Sequence, residues 1–241
     1  MKEKIILDIR LFEERSQGRN PNYIGELYTV DKSIFFNCDR YARKLRELGF
    51  ITGDFNHVYL VQTPYLEDGV IIESEQQPEK WLKYYYIGVS PEIYNQKSEE
   101  EKQNFTLELT TNVLKSIATT EEQRIIVDRV YCMLSKEKSS LEIIHLTKQT
   151  KKYELVISYQ IRPLNMTSRA LIEYKDLHNQ VKRKSSFLEL KTYEDIFYLI
   201  SSITILNEVI YMKPRQSETA NYHIKSYKTP IAISIDEIPI V

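Results

Sequence analysis

Residues 81–90, Trp-Leu-Lys-Tyr-Tyr-Tyr-Ile-Gly-Val-Ser, contain the only tryptophan of the chain and three consecutive tyrosines. A strand over Trp81 to Val89 places Trp81, Lys83, Tyr85, Ile87 and Val89 on one face and Leu82, Tyr84 and Tyr86 on the other. Both faces are then apolar or amphipathic, unlike those of an ordinary exposed edge. Either helices or a second sheet cover both sides, or one face meets a partner. Tyrosine is favoured in strands, and its hydroxyl lets a ring lie half buried at a core boundary, so a core strand is the plainer expectation. For an interface, Trp81, Tyr84 and Tyr86, with Tyr65 upstream, are the expected anchors, since Trp and Tyr dominate binding hot spots.

Upstream of this stretch, Lys4 to Phe12 alternates as a first strand, with Ile5, Leu7, Ile9 and Leu11 on one side. Asp39 to Leu48 reads as a short helix with Tyr41, Ala42, Leu45 and Leu48 on one face and Gly49 as its stop. Val58 to Tyr65 and Val70 to Glu73 read as strands around the turn Glu67-Asp-Gly69.

Downstream, Ser98-Glu-Glu-Glu101 and Thr120-Glu-Glu-Gln123 carry the hydroxyl and the acid or amide three residues later that cap a first helical turn reciprocally. Phe105, Leu109 and Val113 make one apolar stripe, and Ile126, Val130, Met133 and Leu134 the other, which predicts a helical hairpin. After Ser135 to Ser140 the period changes to two. Tyr153, Leu155, Ile157, Tyr159 and Ile161 alternate with a mostly polar set, and Leu141 to Thr147, Ser168 to Asp176 and Ser186 to Lys191 continue an antiparallel meander. Thr192 is placed to cap a last helix through Ile196, Leu199, Ile200 and Ile203, while residues 205 to 212 fit helix and strand equally well. Arg215 to Thr229 reads as a loop and Ile231 to Ile235 as a final strand.

The expected fold is therefore α+β, an antiparallel sheet, with a meander in the C-terminal half, packed against a helical hairpin and a C-terminal helix. It forms a single domain over 1–241, or two subdomains: 1–138, mixed strand and helix, and 139–241, the meander plus a helix.

A chain of 241 residues with 42% hydrophobic and 28% charged content can bury a core without metal or disulfide. Cys38 and Cys132 have no CxxC partner and are expected to be buried thiols. The start lacks a signal-peptide core, because Asp8 and Arg10 interrupt it, and the longest uncharged run, Ile196 to Asn207, is too short to span a membrane. A cytoplasmic protein is expected. The composition, rich in Tyr, Ile, Lys, Glu and Asn, is what an AT-rich bacterial genome produces.

Net charge is -1, with -4 over residues 1–120 and +3 over 121–241, so no global field favours nucleic acid. The clusters Lys148, Lys151, Lys152 and Lys182-Arg-Lys184 are expected in solvated turns.

Catalytic signatures are sparse. The four histidines, His57, His145, His178 and His223, are isolated from one another, and no HExxH, GxGxxG, P-loop or GxSxG occurs. No metal or cofactor is expected. His145-Leu-Thr147 resembles one of the paired HxT motifs of the two-histidine phosphoesterases, without its second copy. Phe187-Leu-Glu-Leu-Lys191 ends a predicted strand with an ExK triplet and resembles the metal-dependent PD-(D/E)xK nucleases over residues 168 to 205. That resemblance implies Glu173 or Asp176 with Glu189 as ligands of a divalent ion and Lys191 assisting the attacking water. No Pro-Asp precedes the site.

What remains is a binding or inhibitory protein. The leading expectation is an immunity protein that neutralises a cognate bacterial toxin by covering its site, with a protein as its partner. The nuclease and a structural or assembly subunit are the alternatives.

Overall fold

Residues 3–75 and 78–241 are described here, from a computed structural model of the chain. The predicted first strand is split into β1 (Lys4–Ile5) and β2 (Asp8–Glu13), followed by β3 (Asn22–Tyr23). Helix α1 (Ser33–Glu47) starts six residues before the expected Asp39, because Ile34 extends the stripe of Cys38, Tyr41, Ala42 and Leu45 by one turn. Gly49, at φ +78°, terminates it as expected. The strands β4 (Ile51–Gly53), β5 (His57–Thr63), β6 (Ile71–Glu73) and β7 (Leu82–Gly88) precede α2 (Pro91–Asn95), α3 (Glu99–Ile117) and α4 (Glu121–Glu137).

The first sheet has the order β3-β2-β5-β7-β6. Its centre is parallel: β2 pairs with β5 and β5 with β7, while β3 and β6 are antiparallel edges. Alternation alone does not distinguish these directions. Here β2, α1 and β5 form a crossover unit, as parallel neighbours require. The inner face supplies Ile9, Leu11, Val58, Leu60, Tyr85 and Ile87 to one core with α1, α3 and α4. The buried Tyr41 hydroxyl joins the three helices, lying 3.1 Å from Thr111 Oγ1 and donating to the Val127 carbonyl at 3.2 Å.

The helical hairpin forms as predicted, and the Ser98 and Glu101 capping box closes in both directions. At the second helix only half of the predicted box forms. Thr120 accepts from the Gln123 amide, but the Gln123 side chain accepts from Ile51 N–H at 2.8 Å and so ties α4 to β4. Cys38 is buried, but Cys132 is exposed, because Val127, Val130 and Leu134 form the inward stripe of α4 and turn it outward.

The chain divides into two compact units, Met1–Leu141 and Glu142–Val241. In the second, β8 (Glu142–Gln149), β9 (Tyr153–Gln160), β10 (Ser168–Asp176) and β11 (Lys182–Leu190) form an antiparallel meander in sequence order. Leu155, Ile157, Tyr159 and Ile161 are buried, as their alternation predicts. Lys182 and Lys184 stand in β11, not in a turn, and pair with Glu173 and Glu142.

The expected long C-terminal helix is only α5 (Ile196–Leu199). A hairpin of β12 (Ser202–Leu206) and β13 (Val209–Lys213) follows, turning at Asn207 and Glu208, both at positive φ. The predicted loop after Pro214 holds α6 (Glu218–Ile224), capped by Ser217, and β14 (Ile231–Ser234) completes a three-stranded sheet with the hairpin. No helix among the described residues is long and apolar enough to cross a membrane.

Candidate partner-binding surface

The parallel register of the first sheet arranges its outer face in rows. Asp8, His57 and Leu82 lie side by side, as do Arg10, Tyr59 and Tyr84, and then Tyr23, Phe12, Val61, Tyr86 and Ile72. These residues alternate with the inward set along each strand, so one period-two rule places Leu60 in the core and Tyr59 outside it.

The rings meet as a connected layer. Phe12 stacks on Tyr23 at 4.8 Å and on Tyr59 at 5.1 Å, and Tyr84 meets Phe12 and Tyr59 edge-on at 5.8 and 5.6 Å. The Arg10 guanidinium lies 5.5 Å from the Tyr59 ring centre, is paired with Asp8 at 2.6 Å, and donates to the Tyr23 hydroxyl at 3.2 Å. Burial pushes the Tyr59, Tyr84 and Tyr86 phenols up from their ordinary values, so they remain neutral hydrogen-bonding groups. Burial also lowers His57, ahead of the opposing pull of Asp8, which keeps the imidazole neutral.

Among the described residues, no helical residue belongs to the hydrophobic cluster on this face. Parallel sheets are ordinarily covered on both sides. Here the middle of the layer is buried, with Phe12 and Tyr59 7% and 6% exposed, while the rim is open, with Tyr23 60% and Trp81 39% exposed.

Three of the four predicted anchors meet this layer. Tyr84 and Tyr86 lie on it as their alternation requires. Trp81 precedes the strand and does not follow the expected alternation: its ring meets His57 edge-on at 4.5 Å. Tyr65 lies beyond the end of β5, donating to the Arg15 carbonyl at 3.2 Å and lining a cavity with Tyr86. Arg10, Phe12, Tyr23 and Tyr59 join this face without having been among the anchors expected from the sequence. Alternation along Asp8-Ile-Arg-Leu-Phe12 and His57-Val-Tyr-Leu-Val61 places Arg10, Phe12 and Tyr59 on one face, but only cross-strand pairing puts them beside Tyr84.

The cavity, about 330 Å³, sits at the carboxyl ends of β2 and β5. Gly88 lets the loop from Tyr65 cross it closely, since a Cβ there would stand 1.9 Å from the Glu67 carbonyl oxygen.

The nuclease-like residues are spread along the second unit. Glu173 sits opposite Lys184 and pairs with Lys182 at 2.9 Å; Asp176 accepts the His178 and Asn179 amides in the β10–β11 turn. Glu189 is opposite Arg169, so roughly 13 Å of strand separates it from the Glu173 position. Lys191 donates its backbone N–H to the Tyr227 hydroxyl at 2.7 Å. No group of three or more His, Cys, Asp or Glu with metal-binding spacing occurs among the described residues.

Comparison with protein-family models, with curated proteins and with solved structures finds no match to this chain.

Proposed function

We propose that the chain is a binding protein that docks a protein partner on the outer aromatic face of its first sheet. One observation carries the reading: the outer face of the first sheet bears a connected layer of aromatic rings whose hydrophobic cluster, among the described residues, includes no helical side chain, and its rim residues Tyr23 and Trp81 are open. Such a layer supplies the large, rigid anchors that dominate hot spots, and Arg10 is held in place among them by Asp8. The charge of -4 over residues 1–120 favours a basic partner.

In its specific form this is a cytoplasmic inhibitor, an immunity protein that neutralises a bacterial toxin by steric occlusion over an interface of about 1,600 Å². The test is co-expression with the product of the adjacent gene, followed by affinity measurement on the purified pair. Tyr84→Ala and Trp81→Ala are each expected to weaken binding by about tenfold or more. A complex whose affinity is unchanged in the double variant overturns the assignment of this face. A chain that instead forms a homo-oligomer by light scattering, and binds nothing else, overturns the inhibitor reading.

A further inference from the structure

The cavity at the end of the aromatic face is built around a buried acid. Glu14 is 6% exposed and lines the cavity together with Tyr65, Tyr86 and Glu75. Its two oxygens accept from Gly18 N–H at 2.7 Å and Thr63 Oγ1 at 2.6 Å, which fixes the carboxylate but does not neutralise it. No Lys or Arg pairs with Glu14 among the described residues, and the neighbouring Arg15 is occupied by Glu13 and Glu26. A carboxylate shielded from water and held without a counter-charge projects its potential into the space it faces.

Tyr65 and Tyr86 also line that space. A cation is attracted to aromatic faces, and a guanidinium, planar and weakly hydrated, can stack on a ring while donating to carboxylates. Glu75, exposed at the rim, supplies a second carboxylate. Arg19 also lines the cavity but makes no ion pair with Glu14 or Glu75 among the described residues. As a like charge it opposes the entry of another cation, which gives the test a sign.

We infer that this cavity receives the guanidinium of an arginine side chain carried by the docked partner, with Glu14 as its buried counter-ion and Tyr65 and Tyr86 as its walls. The source of the arginine rests on the docking reading above; the chemistry of the cavity does not. The inference is tested by titrating Nα-acetyl-arginine amide into the isotopically labelled full-length protein and following the amide signals of Gly18 and Tyr65.

Saturable shifts are expected, at least about tenfold weaker with the neutral isostere Nα-acetyl-citrulline amide. Glu14→Gln should weaken the arginine probe by about tenfold or more, and Arg19→Gln should strengthen it. If Glu14→Gln fails to fold, Glu75→Gln at the exposed rim carries the same expectation with a smaller loss. Equal binding of the arginine and citrulline probes, or no shift at Gly18 and Tyr65, overturns the inference. So does binding of Nα-acetyl-aspartate amide that disappears in Arg19→Gln, the mark of an anion site. Tyr84→Ala separates the two proposals, since it should weaken partner docking by about tenfold or more and leave probe binding intact. In the native chain, a probe that fails while docking persists overturns the cavity alone, and docking that fails while the probe binds overturns the partner reading alone.

Discussion

Adjacent glutamates at the end of β2 take opposite roles because alternation sends them to different surroundings. Glu13 is fully buried, and its carboxylate accepts the backbone N–H groups of Gly25, Glu26, Leu27 and Tyr28, plus Arg15 Nε at 2.7 Å. Burial alone would raise its pKa; the amide donors and Arg15 outweigh that and hold it below the ordinary carboxylate range. Its charge therefore staples the segment around Tyr28 to the sheet, an arrangement that no pattern in Glu13-Glu14-Arg15 announces. Because the folded value is depressed, the stabilisation is complete above the ordinary glutamate pKa of about 4.3 and is lost as pH falls through the folded value. Glu13→Gln should cost about 2–4 kcal/mol in urea unfolding at neutral pH and flatten the acid limb of the stability profile. Identical unfolding midpoints for the variant and the native chain would contradict this account.

At the scale of elements, the helices with caps and stripes were legible and the segment after Thr192 was not. Ile196 to Ile203 satisfies a helical stripe locally, but Asn207 and Glu208 adopt the positive φ values of a two-residue hairpin turn, and Ile203, the last residue of that stripe, is buried instead as a strand residue paired with Met212, while Ile196 and Leu199 are buried in the short α5. Tertiary pairing outweighs a helical preference that rests on a few β-branched residues.

Helix α6 is held by a polar anchor, the buried Asp195. It accepts from the Tyr227 hydroxyl at 2.6 Å and from Thr192 N–H at 3.1 Å, with His223 Nδ1 at 3.6 Å. His223 stacks on Tyr198 at 4.3 Å, closing the contact between α5 and α6. Burial and the hydrogen bond to Asp195 push the Tyr227 phenol up to about 12, so it remains a donor throughout the neutral range. Tyr227→Phe is expected to destabilise the second unit by about 1–3 kcal/mol, since it leaves a buried carboxylate short of a partner. Amide exchange in α6 and at Lys191 is the readout, and unchanged protection there would count against the anchor.

For the molecule as a whole, the division at Leu141 and Glu142 implies that each unit carries its own core. The first has a continuous cluster from the inner sheet face, α1, α3 and α4, so a fragment ending at Leu141 should fold alone with a single cooperative thermal transition followed by circular dichroism. A fragment that stays unfolded would show that its core is incomplete.

The sequence by itself determined the α+β class, the helical hairpin, the meander and the inward and outward sets along β2, β7 and β9, while at the chain start Ile6 is buried and Ile5 exposed, opposite to the expected alternation. Those follow from period and capping, which are local properties of neighbouring side chains. Only the tertiary structure decided that β2, β5 and β7 run parallel, that Phe12, Tyr23, Tyr59 and Tyr84 form one layer, and that Glu14 and Tyr65 share a cavity. Strand direction and lateral order depend on how distant segments close on one another, and alternation along a single strand is the same whichever neighbour it meets.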